Sequence, residues 1–151
     1  MKQLVNNRRV SAWLALAAVP VLAAILMAQT QRSPRPITVA QLAGPWSASL
    51  IGNTGCGWTT LAVDFTLDSS GAAMATYRGH SSGCGDSTST EPFSVQVVYP
   101  NGSGSANLSC GTACGWQLHI QVAPNREIFS LVDVDPANPG NFLSGVAIRQ
   151  L

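Results

Sequence analysis

Charge is what this chain has least of. Only 10% of its 151 residues are charged, and its single lysine is Lys2, close to the N-terminus. Schiff-base chemistry needs a lysine in the folded part and is excluded. Beyond Ala28, five arginines stand against seven carboxylates, a net charge of −2, with no basic run among them. Nothing there can release counterions from a phosphate backbone, so nucleic acid is set aside as a partner. Histidine is almost as scarce, with only His80 and His119. After residue 28 no segment repeats its apolar residues every three or four positions, and no helix is expected there.

What the chain does have is a strongly apolar beginning. Lys2, Arg8 and Arg9 precede an uncharged run from Val10 to Ala28, which is the pattern of an export signal. The run is longer than the roughly 7–15 residues of a cleaved signal and close to the roughly 20 that cross a bilayer. Two fates are therefore open for this hydrophobic leader helix, residues 1–28: removal as a signal peptide, or retention as an N-terminal membrane anchor. Either fate places the rest of the chain outside the cytosol, in a periplasm, in the medium or at the cell surface. Residues 29–41 are polar and broken by Pro34 and Pro36, so they read as a flexible linker. Residues 42–151 remain for a single domain.

Within that domain Gly, Ser, Thr, Asn and Pro punctuate segments whose apolar residues alternate. Leu61, Val63, Phe65 and Leu67 share one face of a stretch whose other face carries Thr60, Ala62, Asp64 and Thr66. Such period-two alternation marks a half-buried strand. Phe93-Val95-Val97-Tyr99, Gly104-Ala106-Leu108-Cys110 and Trp116-Leu118-Ile120-Val122 repeat it. Less regular strands are expected at 46–51, 72–78, 127–134 and 142–150, which brings the count to eight. Asp68–Gly71, Pro100–Ser103 and Pro124–Arg126 carry tight-turn residues, so successive strands should be antiparallel neighbours. The expected fold is all-β: an eight-stranded antiparallel up-and-down barrel, whose closure removes exposed edges, with a two-sheet β-sandwich as the alternative.

The first strand opens with Gly44-Pro45-Trp46, and Arg149 stands near the end of the last. In these residues the chain resembles the calycins, the lipocalin and avidin group. The resemblance implies a barrel closed at one end by Trp46, with Arg149 packed over the indole ring in a cation–π contact.

In an up-and-down meander alternate connections share one end, so 52–57, 79–92, 110–115 and 135–141 should form one rim. All four cysteines, Cys56, Cys84, Cys110 and Cys114, lie in or beside these connections. The expected strand order favours the pairs Cys56–Cys84 and Cys110–Cys114. Four cysteines allow three connectivities, and sequence alone does not choose among them. Outside the cytosol bridges persist; four thiolates around a zinc ion are the competing arrangement.

Trp58 and Trp116 adjoin these cysteines, and two readings are open for them. They cover the bridges, or together with Tyr77 they line a mostly apolar cavity with a few polar groups, as small-ligand sites do. The segment 79–90, expected as a loop, gathers His80, Ser81, Ser82, Asp86 and Ser87. It is the one place where a histidine-assisted nucleophile is conceivable. Asp133, Asp135 and Asn138 offer oxygen ligands at loop spacing without the full calcium-loop pattern. No cofactor is implied. The expectation is a non-enzymatic binding module whose tied rim admits a small apolar or ring-bearing molecule; the alternative is a structural or adhesive surface domain whose partner is another protein.

Overall fold

Alternation of apolar and polar residues gives each strand one face that must be buried, and a sheet rolled onto itself buries all of those faces together. The computed structural model describes residues 36–109, 115–134 and 140–151. The leader, the first part of the linker, Cys110, Cys114, Asp135 and Asn138 lie outside these residues. Eight strands follow one another: β1 (Gly44–Asn53), β2 (Trp58–Leu67), β3 (Ala72–Ser81), β4 (Gly85–Val98), β5 (Ser103–Ser109), β6 (Gly115–Val122), β7 (Ile128–Asp133) and β8 (Phe142–Arg149). Each pairs antiparallel with the next, and β8 returns to β1 through a register running from Trp46–Arg149 to Asn53–Phe142. The barrel is closed, and the two-sheet alternative is excluded.

One end of the interior is packed solid. Trp46, Phe129, Leu42, Leu67, Leu118 and Ile120 are fully buried there. Trp46 and Phe129 pack with ring centroids 4.7 Å apart and planes tilted by 57°, and Phe65 and Phe93 with centroids 4.6 Å apart and planes tilted by 51°. The indole N–H of Trp46, which would otherwise be a stranded buried donor, is satisfied by the Leu42 carbonyl at 2.8 Å. That carbonyl is delivered by a 3-10 turn, Val39–Leu42, where no helical element was expected. Gln41 closes the turn by accepting the Thr38 N–H on its side-chain oxygen at 3.2 Å. Ile37 is buried in the same cluster and Val39 packs against it, so the segment 37–41, whose composition reads as linker, is anchored to the closed end through these two side chains. Two buried apolar residues, Ile37 and Leu42, outweigh the polar residues between them.

The turns at this end match their sequence signals. Gly71 has φ +88°, and a side chain there would collide with the Val95 carbonyl, so the β2–β3 turn needs glycine.

Two stretches depart from expectation. Val97 and Tyr99 do not continue the inward face of Phe93 and Val95; they are exposed, because a bulge between Val95 and Val97 shifts the register against β5. An extra residue in one strand reverses every later side chain. Residues 79–92 are not a loop. Ser81 pairs with Gly85, and the ladder continues through ten pairs to Ala72–Ser94, leaving only Ser82, Gly83 and Cys84 as the turn. The alternation in β4 was hidden because Ser87, Ser89 and Glu91 on one face face Asp86, Thr88 and Thr90 on the other, polar against polar.

Candidate functional site at the barrel mouth

The long β3–β4 hairpin shapes the end of the barrel away from Trp46. Directly paired residues share a face, so Tyr77–Ser89 and Gly79–Ser87 line the interior beside Val63 and Leu61. Among the described residues the pairing of β4 with β5 begins only at Phe93–Leu108, and the upper part of β4 pairs with β3 alone. This stretch is where a proline, Pro92, is tolerated within a strand.

The turn of that hairpin is tied to the β1–β2 connection by a disulfide, Cys56–Cys84, with Cα atoms 5.4 Å apart. Gly83 lies so close to Cys56 that its N–H donates to the Cys56 carbonyl at 2.8 Å. A Cβ at residue 83 would strike that same oxygen, which is why glycine stands beside the bridge. The bridge consumes two of the four thiols that a zinc site would require. The second expected pair, Cys110–Cys114, lies outside the described residues.

Below the bridge is a cavity of about 210 Å³. Tyr77, Trp116, Leu61 and Leu108 form its apolar walls, and Thr54, Thr59, Ser81 and Ser87 supply hydroxyls. Thr59 and Ser81 are the only buried polar residues among those described, at 3% and 7% exposure. Their hydroxyls are 2.9 Å apart, and Thr59 also meets the Thr54 hydroxyl at 2.8 Å and the Gly57 carbonyl at 3.1 Å. A threonine hydroxyl has one hydrogen and two lone pairs. When Thr59 donates to Gly57, Ser81 donates to Thr59 and keeps lone pairs to accept from an occupant. When Thr59 donates to Ser81, the Ser81 hydrogen is free to donate. The network therefore offers either polarity to a polar group in the cavity.

Of the three expected ligand-facing aromatics, Tyr77 and Trp116 come together here. Trp58 does not: it is on the outer face of β2, 63% exposed, with its ring edge-on to Phe142 at 5.8 Å. Period two separates it from its inward neighbour Thr59. Thr54 and Thr59 went unread in the sequence, and Ser81 and Ser87 were singled out only as members of a histidine constellation. The only signal for their inward placement was the weak Ser81-to-Glu91 alternation inside a segment read as loop.

The histidine constellation is taken apart by the same alternation. His80 and Asp86 pair across the hairpin on the outside, with His80 Nδ1 2.7 Å from an Asp86 oxygen, while Ser81 and Ser87 line the interior. No serine of that set stands where this imidazole faces the cavity.

At the opposite end Trp46 and Arg149 meet as cross-strand partners. The guanidinium carbon lies 5.0 Å from the indole centroid, and Nη2 donates to the Gln41 carbonyl at 2.8 Å. The molecule is thus an eight-stranded antiparallel barrel with one plugged end and one disulfide-tied, cavity-bearing mouth, an architecture compatible with a calycin-like fold. Its sequence matches no known family and no curated protein.

Proposed function

We propose that the domain is a calycin-like, non-enzymatic binding module of an exported protein, holding one small ring-bearing molecule at its mouth. The observation that carries this reading is the cavity between Tyr77 and Trp116, above a buried core of aromatic and aliphatic side chains. At about 210 Å³ it is smaller than the roughly 300–1,000 Å³ of drug-sized sites. An apolar cavity of about 150 Å³ takes up benzene, so the size suits one aromatic or cyclic group with one or two polar substituents. The Thr59–Ser81 hydroxyls orient such a substituent, and the two aromatic side chains cover the ring. Export is supported by the leader pattern and by the Cys56–Cys84 bridge, which persists in oxidising compartments.

The test is native mass spectrometry of the protein purified from its own host. The expected result is a reproducible added mass of one small molecule, lost in Trp116→Ala while the β-sheet circular dichroism is retained. Absence of any added mass, together with no binding of single-ring phenols, indoles or cyclic sugars, would overturn the reading. The alternative, a surface domain whose partner is a protein, is favoured by a different feature, the apolar outer face of the barrel.

A further inference from the structure

The outside of the barrel is divided. On β4, β5 and β6 most outward residues are polar: Thr88 and Thr90, Ser105 and Asn107, Gln117 and Gln121. On β7 and β8, with Ile51 of β1 and Trp58 at the start of β2, most are apolar. Eight of the twelve large apolar side chains exposed among the described residues lie on this one face, each between 42% and 63% exposed.

Register makes the patch continuous. Ile128 pairs with Ile148, Val146 faces Ser49 across the β8–β1 seam, and Ser144 lies between Val132 and Ile51. Between the apolar residues stand Ser130, Ser144 and Ser49, with Thr60 and Asn53 beside Ile51, Trp58 and Phe142, and two charged pairs, Asp64 with Arg78 at 3.1 Å and His80 with Asp86 at 2.7 Å, lie at the margin. The eight side chains together expose on the order of 800 Å², more than the roughly 300–600 Å² of a monomer's largest patch and about what each partner contributes to a stable interface. An apolar, charge-free centre with a polar rim is the anatomy of such interfaces.

We propose that this face joins two copies of the chain about a two-fold axis. An isologous contact requires a surface that complements itself. Here the Trp58–Phe142 pair stands out as a ridge, and beside it lies an open groove of about 830 Å³ lined by Ser49, Ile51, Ala62 and Val146, with Arg78, His80 and Asp86 along its β3–β4 edge. A two-fold rotation brings the ridge of each copy to the groove of the other. A membrane is the poorer occupant: the one arginine bordering the groove, Arg78, is paired with Asp64 and adds no cluster of positive charge to draw anionic lipid.

The test is analytical ultracentrifugation of protein purified from its host at roughly 50 µM, above the micromolar constants at the weak end of interfaces of this size. The wild type is expected to sediment as a dimer. Ser49→Arg, which places a charge at the centre of the patch from a solvent-exposed position, should give a monomer with unchanged circular dichroism. Gln96→Arg, on the bulge of β4, should remain dimeric. Val146→Ser, which only repeats the serines already present, should weaken the dimer at least tenfold and decides the matter if Ser49→Arg fails to fold. A monomeric wild type overturns the proposal, whether or not it co-sediments with phosphatidylglycerol vesicles. So does an oligomer that survives both substitutions, as association through residues 1–35 would.

Discussion

At the closed end of the barrel Trp46 is 1% exposed, packed against Phe129 and capped by Arg149; at the mouth Trp116 is only partly buried, beside a cavity and a disulfide. Both tryptophans lie on inward faces of strands. Their surroundings differ because the closed end receives a second layer, the Val39–Leu42 turn with Ile37, whereas the mouth is bounded by hydroxyl-bearing residues that do not fill it. The comparison teaches that a barrel of this size divides its interior: packing stabilises one half, and a covalent tie holds the half that packing leaves open.

The sharpest way to break this contrast is Trp46→Ala. Removing a fully buried indole should cost about 3–5 kcal/mol, seen as a large fall in the urea midpoint, whereas Trp116→Ala should cost far less and act on binding. Next is the tie. Cys56→Ser with Cys84→Ser frees a loop spanning 28 positions, and should lower stability by about 3 kcal/mol in the chain-entropy account. Hydrogen exchange should show the loss concentrated in β3 and the upper part of β4, with the Trp46 end still protected. Were the Trp46 end to open equally, the two halves would be one cooperative unit.

Arg149→Met should be milder, about 1–2 kcal/mol, from a cation–π contact and one hydrogen bond to the Gln41 carbonyl. The smallest effect belongs to Asp68, in the β2–β3 turn. The Ser70 hydroxyl, and then the Ala72 N–H, hold its carboxyl below the ordinary value of 3.8. Its contribution is therefore present above that value and is lost as pH falls through the lower folded one. Thermal melts of Asp68→Asn and wild type should differ slightly at neutral pH and converge in strong acid.

The fold was legible because all eight strands announce themselves, at least in part, by period two or by turns at their ends. The half-strand that does not is instructive. In β4 both faces are polar from Asp86 to Thr90, so hydrophobic alternation has nothing to report, although the backbone ladder to β3 is complete. That same segment supplies the wall of the cavity, which is why the inward placement of Ser87 and Ser81 went unread while that of Tyr77 and Trp116 did not. Trp58 was misplaced for the converse reason. Its neighbour Cys56 is at the rim, but a one-residue difference in parity sends the indole outward. The plug was the clearest part, since Trp46 and Arg149 each depend on one local position and one cross-strand pair.

Closure through β1 and β8 also sets an order of events as the chain folds. β1 has only one neighbour until Phe142–Arg149 arrives, and the partner that covers the Trp46 ring is about a hundred residues away, a contact whose loop-closure cost slows folding. Hairpins β1–β2 and β3–β4 form from local turns. The seam has the longest loop to close and is expected to form last, leaving the edges of β1 and β8 open to other strands until then. A chain shortened by its final eight to ten residues would keep most of its hairpins and lose the means to finish. Its expected fate is aggregation rather than a smaller barrel.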